Sequence, residues 1–176
     1  VASDGTEADA ESFWLSLSGD GRYVAFESMA TNLVPGLGGE AQQIFVRDRV
    51  THTTQLVSAG IGGAEGDDWS GLPDISRDGR YIAFDSYADF PATPNPGDQT
   101  STSSFALYLY DTTVSTFRRI GPRSNADAEA SGGDVQHYPG FTETDSNGAP
   151  SILILQTRQN IKADGTVPTT ESEGLN

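Results

Sequence analysis

Carboxylates are the residues of this sequence that could do chemistry, by number and by place. Asp and Glu total 25 against 10 Lys and Arg, a formal net charge of -15. Some gather in three short stretches: Glu7, Asp9 and Glu11; Glu65, Asp67 and Asp68; Asp127, Glu129 and Asp134. Hard cations such as Ca²⁺ are held by carboxylate and carbonyl oxygens, so each stretch is a candidate metal site and Ca²⁺ is the cofactor it could take, though none is required. The competing reading is solvated loop acids, with one Asp per loop capping a turn by accepting backbone amides. None of the stretches has the fixed oxygen spacing of a known calcium loop. Asp145-Ser146-Asn147-Gly148 has the opening pattern of an EF-hand loop, but Gln156 stands where the bidentate Glu belongs, so it reads as a hairpin turn.

Other chemistries find less support. His52 and His137 are the only histidines, too few for a His-based metal site; His52 sits in a Thr-rich turn and is expected to be exposed. There is no Gly-x-Ser-x-Gly elbow and no evident Ser partner for either histidine, which removes the usual serine-hydrolase signatures. Paired carboxylates for glycoside cleavage would need a group with a raised pKa, and no carboxylate stands in an apolar context that predicts one. The absence of cysteine excludes disulfides, thiolate metal sites and cysteine nucleophiles.

Charge and hydropathy narrow the partners. A pI near 4.2 repels a phosphate backbone, so no nucleic-acid partner is expected. The longest apolar runs, such as Ile152 to Leu155, fall far short of the roughly 20 residues a membrane helix needs, so no membrane span is expected. The chain opens on Val1 with no basic-then-apolar leader, which reads as a processed chain or a piece of a longer polypeptide.

The elements that would position these residues come from a repeat. Gly19 to Ser28 (GDGRYVAFES) returns as Arg77 to Ser86 (RDGRYIAFDS), an offset of 58 residues. Upstream, Leu15 to Ser18 corresponds to Pro73 to Ser76; downstream, Ile44 to Asp48 corresponds to Leu107 to Asp111 and Thr54 to Val57 to Phe117 to Ile120. Each copy holds four short segments in which β-branched and aromatic residues alternate with small or polar ones, the pattern of half-buried strands. Asp20-Gly21 and Asp78-Gly79 are expected to close tight hairpins with both central residues at positive φ. A third copy begins at Tyr138 to Thr142, continues through Ser151 to Thr157, and gives way to a polar tail from 162 to 176. With 20 Gly and 9 Pro, helical periodicity is nowhere sustained, and the fold class is all-β.

The pattern Ser-x-Asp-Gly-Arg-Tyr-Val-Ala-Phe-x-Ser, then Ile-Phe-Val-Arg-Asp and a Thr-rich turn, resembles the WD40-like repeat of TolB-type β-propellers. The resemblance runs over roughly Phe13 to Ile161 and implies four-stranded antiparallel blades around a central channel. On it, residues 1–176 form a single partial β-propeller domain of about two and a half blades: blade one about 13–58, blade two about 70–121, an incomplete blade three about 138–161, then the tail. Relatives close a ring with more blades than this chain has, and many carry an acidic, Asn-rich stretch in the long second loop. Here that loop reads Gly36 to Glu40 in one copy and Pro96 to Thr100 in the other.

One blade cannot bury both of its faces alone, so two and a half blades should expose apolar surface and invite partners: copies of the chain in a ring or filament, strands donated by a neighbour, or other blades of a longer polypeptide. The aromatics Trp14, Trp69, Tyr23, Tyr81, Phe26 and Phe84 are expected to pack between blades. Arg22 and Arg80 are expected to brace a blade edge against loop carboxylates of the next repeat. The resulting expectation is a non-catalytic binding or scaffold module, secreted or periplasmic and self-assembling. The alternatives are a propeller fragment that gates or positions substrate for a hydrolase, and a calcium-dependent glycan binder.

Overall fold

The structure is a computed structural model that describes residues 1–39, 41–60, 63–88, 90, 106–120, 140–141 and 153–154. Among these every regular element is a strand. The first repeat folds into β1 (Ser12–Leu17), β2 (Tyr23–Ser28), β3 (Gln43–Asp48) and β4 (Thr53–Leu56), and the second into β5 (Ser70–Ile75), β6 (Tyr81–Ser86), β7 (Ala106–Asp111) and β8 (Thr116–Ile120). Each repeat is one four-stranded antiparallel sheet in chain order, and β9 (Gly140–Phe141) pairs with β10 (Leu153–Ile154) where the third repeat was expected. Two meander sheets stacked face to face, with β5 against β1 and β2, make this an all-β partial propeller. The turn expected at Asp145 to Gly148, His137, most of blade three and the tail lie outside the described residues.

The hairpins differ from the two-residue form expected. Gly21 and Gly79 have positive φ (68° and 75°), whereas Asp20 and Asp78 do not. Ser18 N donates to Tyr23 O at 3.0 Å, which closes a four-residue loop instead of two. The cause is the aspartate side chain. Asp20 Oδ1 accepts from the Ser18 hydroxyl and the Arg22 amide, an Asx turn that holds Asp20 out of the left-handed region, and Ser76, Asp78 and Arg80 repeat it. At the far end of the motif, Ser28 and Ser86 each accept the amide two residues on, from Ala30 and Ala88, and donate to the carbonyls of Glu11 and Trp69. The repeated polar letters are thus turn and strand-end fasteners.

Both first strands carry a β-bulge at the same place, between Phe13 and Ser16 in β1 and between Gly71 and Asp74 in β5, with Trp14 and Leu72 at positive φ (39° and 54°). A bulge turns an amide out of its own ladder, and Leu72 N, so released, reaches the first sheet and donates to Glu27 Oε2 at 3.0 Å. Between the sheets lies one core. Ala25, Ile44, Val46 and Val57 cluster with Ile75, Ile82, Phe84, Phe90 and Tyr108, where the Phe84 and Tyr108 rings stack at 5.5 Å. A smaller cluster covers the opposite face of the first sheet: Ala30, Leu33, Val34 and Leu37 fold over Phe26, Phe45 and Leu56.

The outer edge of the first sheet is also closed. Ser3 Oγ donates to Thr54 O, Thr54 N donates to Ser3 Oγ, and Thr54 Oγ1 and Arg47 donate to the carbonyls of Val1 and Ala2. This satisfies a strand edge that would otherwise template pairing with another chain.

Gly71 is where the seam between sheets is tightest. A Cβ there would lie 2.6 Å from Glu27 Oε2 and would also run into the Trp69 indole. Gly71→Ala is therefore expected to destabilise the fold by about 1–3 kcal/mol through overpacking, seen as a lower urea midpoint with an unchanged m-value; an unchanged midpoint would show that the seam is loose.

Candidate functional site

The acidic stretches close loops. Asp9 Oδ1 accepts Thr31 N at 2.8 Å and Oδ2 accepts Thr31 Oγ1 at 2.7 Å, while Asn32 bridges Asp9 N and Glu7 O. These bonds, the Thr31 hydroxyl first, hold the Asp9 carboxyl below its ordinary value. Glu11 takes part through its carbonyl, which accepts from Met29 N and Ser28 Oγ. In the second stretch Glu65 Oε1 accepts Gly38 N and Gly39 N at 3.0 and 2.6 Å, and Asp68 Oδ1 accepts Trp69 N at 2.6 Å. Asp67 is exposed. Among the described residues no three His, Asp or Glu side chains come together in a group that could hold a metal ion. Asp127, Glu129 and Asp134 lie outside those residues. The carboxylates thus fasten the loop around 29–39 to the segments that precede each sheet.

The two arginines are paired within their own sheet, not with the next repeat as expected. Arg22 meets Asp48 at 2.7 Å and Arg80 meets Asp111 at 2.9 Å, each joining the start of the second strand to the end of the third. The register requires it, since Tyr23 lies opposite Asp48 and Tyr81 opposite Asp111. Each guanidinium also covers the following tyrosine ring at 4.8 Å. The hydrogen bond from Arg22 holds the Asp48 carboxyl far below the usual carboxylate range. At Asp111 burial pushes upward, and the bonds from Arg80 and Thr113 outweigh it.

The surface most unlike ordinary solvent-facing sheet is the open side of β1. Phe13, Trp14, Leu15 and Leu17 are all exposed, Trp14 at 67%, Leu15 at 66% and Leu17 at 49%. At the equivalent places in β5, Gly71, Pro73 and Ile75 are buried and Leu72 is half-buried. The same contrast continues on the second strands, where half-buried Val24 and Phe26 correspond to fully buried Ile82 and Phe84. Trp14 therefore does not pack between the two sheets as expected, and Trp69, which tilts against Tyr87 at 6.0 Å, falls at the repeat place of Glu11. Phe84 does pack between them, and Phe26 stacks on Phe45 at 5.7 Å.

Glu27 corrects a further expectation, for it is a carboxylate in an apolar setting. It is 2% exposed, and burial raises its pKa against the opposing bonds from Leu72 N and the Gln42 side chain. Asp85 occupies the equivalent place in β6 and is fully buried. The signal was present in the sequence as an acid inside Val-Ala-Phe-Glu-Ser and again inside Ile-Ala-Phe-Asp-Ser, read there only as the variable letter of the motif.

No protein-family model matches the chain, and no curated protein matches it. Among solved structures the chain is similar to a chain in the crystal structure of the tricorn protease, with 15% identity and a TM-score of 0.47; the match covers 86% of this chain and 11% of that one. The sequence thus spans about a tenth of the protease's length.

Glu27 gives a pH test. A carboxyl whose folded pKa lies above its ordinary value contributes most to stability below that value, 4.5, and the contribution is lost as pH rises through the folded pKa. Glu27→Gln keeps an acceptor for Leu72 N without a buried charge, so its Tm relative to wild type should climb between pH 4.5 and 7.5. Glu27→Ala leaves Leu72 N unpaired and should lower stability by about 1–3 kcal/mol. Parallel Tm curves for wild type and Glu27→Gln would contradict this.

Proposed function

We propose that the chain is a non-catalytic β-propeller-type scaffold and binding module that works by seating a further blade on the open face of its first sheet, a second copy of the chain being the partner. The observation that carries this is the mismatch between repeat-equivalent residues. Leu17 is 49% exposed where Ile75 is 4%, although both stand at the end of a first strand with the same bulge. The second sheet buries this face against the first, and the first sheet presents the same face with nothing described upon it beyond the loop over Phe26 and Phe45.

Physical chemistry favours a protein partner there. Large apolar side chains exposed together along one strand mark an interaction site, and stacked repeats draw their stability from the neighbour interface. The contact would be heterologous, so copies add head to tail and form a ring if the rotation closes or a filament if it does not. The edge strand β4, by contrast, is covered by Val1 to Ser3, which favours face-to-face stacking over strand addition at that edge.

Light scattering on the native chain should then give a concentration-dependent mass above 18.6 kDa. Trp14→Ser with Leu17→Ser should weaken association by an order of magnitude or more while leaving the far-UV spectrum unchanged, as expected for a large aromatic anchor at an interface. A monomer at every concentration would overturn self-association and assign the face to a blade supplied by another polypeptide segment.

A further inference from the structure

Between the two sheets, at the end where the third and fourth strands of each repeat turn, lies a cleft of about 300 Å³. Its walls come from both repeats: Tyr23, Val46, Thr53 and Gln55 on the first sheet, and Thr112 and Thr113 in the turn after β7. That volume is at the lower bound of small-molecule sites. The geometry points to a binding site here for a neutral, hydroxyl-rich ligand of monosaccharide size. This rests on the reading of the chain as a binding module but not on its self-association.

Three features support that ligand class. First, the lining is rich in hydroxyl oxygens that can accept, beside the Gln55 amide, which can also donate. Thr53 Oγ1 lies 2.9 Å from Thr51 Oγ1, and the Thr51 hydroxyl also bonds the Asp48 carboxyl, so the chain of donation runs from Thr53 to Thr51 to Asp48 and the Thr53 oxygen keeps its lone pairs for an incoming hydroxyl. Thr112 Oγ1 donates to Gly79 O at 3.2 Å, which leaves its lone pairs to accept, and the Gln55 amide supplies one group of each kind.

Second, the charge at the cleft is already compensated. Asp48 is its one carboxylate among the described residues, and that carboxylate is occupied by Arg22 at 2.7 Å and by Val50 N and Thr51 N at 2.8 and 3.2 Å. A cationic ligand finds no open counter-charge. An anionic one finds no cation on the described lining and a molecule of net charge -15 around it.

Third, the polar groups are held in place. Thr51 is fixed by Asp48 through its amide, His52 beside it takes positive φ (57°), and Ser115 does the same in the partner turn (51°). Thr112 N donates to Arg80 O at 2.8 Å and Thr113 N to Asp111 Oδ1 at 2.9 Å. Tyr23 and Val46 supply the apolar part of the wall. The Thr-rich turns of both repeats, which blade packing leaves unexplained, thereby acquire a role.

The test is ligand-observed saturation-transfer NMR with glucose, galactose and N-acetylglucosamine, set against glucuronate and glucosamine as charged counterparts of the same ring. At least one neutral sugar should bind at about millimolar strength, as a ligand of this size allows, and the charged counterparts should bind several-fold more weakly. Thr53→Val and Thr112→Val should each weaken binding about tenfold with the thermal midpoint kept. No transfer to any neutral sugar, equal transfer to the charged ones, or unaltered binding in both folded variants would each overturn the proposal. Light scattering on the same samples reports self-association separately, so the failure of one does not imply the failure of the other.

Discussion

The amide of Leu72 donates to a buried carboxylate of the preceding sheet, and the stacking of the two repeats turns on that bond. A four-stranded sheet has two faces and cannot bury both alone, so repeats must meet at a fixed register. The bulge in β5 frees Leu72 N, and Glu27 Oε2 accepts it at 3.0 Å. Around it the seam is stitched by Ile75 N to Ser16 Oγ at 3.2 Å, Ser16 Oγ to Asp74 Oδ1 at 2.7 Å, Ser70 N to Gln42 O at 2.9 Å and Gly19 N to Arg77 O at 2.7 Å. Phe141 N donates to Asp74 Oδ2 at 2.8 Å, which repeats at the next seam what Ile75 N does with Ser16. The stitching is a property of the repeat and not of one pair of sheets.

Such a seam sets orientation as well as distance. Apolar burial between Ala25, Ile44 and Val46 on one side and Ile82, Phe84 and Tyr108 on the other supplies most of the favourable energy but has little directional preference. The hydrogen bonds select one placement, because a slip would strand Leu72 N without a partner and leave the Glu27 carboxylate only its bond from Gln42 in a dry interior. Burying that carboxylate has a cost, visible in its raised pKa, and the gain is specificity of stacking. A fixed stacking direction also explains why the two faces of the first sheet have different fates. One is filled by the second repeat, and the equivalent of the filled side of β5 is left bare on β1.

Much of the fold was legible because the repeated letters act locally. The Asp-Gly hairpins, the strand alternation and the offset of 58 place all eight strands of the first two sheets in order, and His52 is exposed in its turn as its surroundings imply. What sequence misjudged depends on positions far apart in the chain. The partner of Arg22 was sought in the next repeat, yet antiparallel register puts Asp48 across from Tyr23. Trp14 and Phe84 look alike as repeat aromatics, but only the presence of a neighbouring sheet separates exposed from buried. Glu27 reads as a surface letter until a bulge in a strand 45 residues later delivers an amide to it. For the acidic stretches the sequence leaves metal binding and loop capping side by side, because oxygen count is visible in it, whereas the loop amides that Asp9 and Glu65 bind are not.

Native-state hydrogen exchange at the amides of Leu72 and Ile75 tests the central claim most directly. Neither amide is bonded within its own sheet; each donates to a side chain of the preceding repeat. If the seam locks the repeats into one cooperative unit, both should exchange only by global opening, at the rate of the β6–β7 ladder amides. Rapid exchange of the two while that ladder stays protected would contradict the account, since it would mean that the sheets fold separately and touch only loosely.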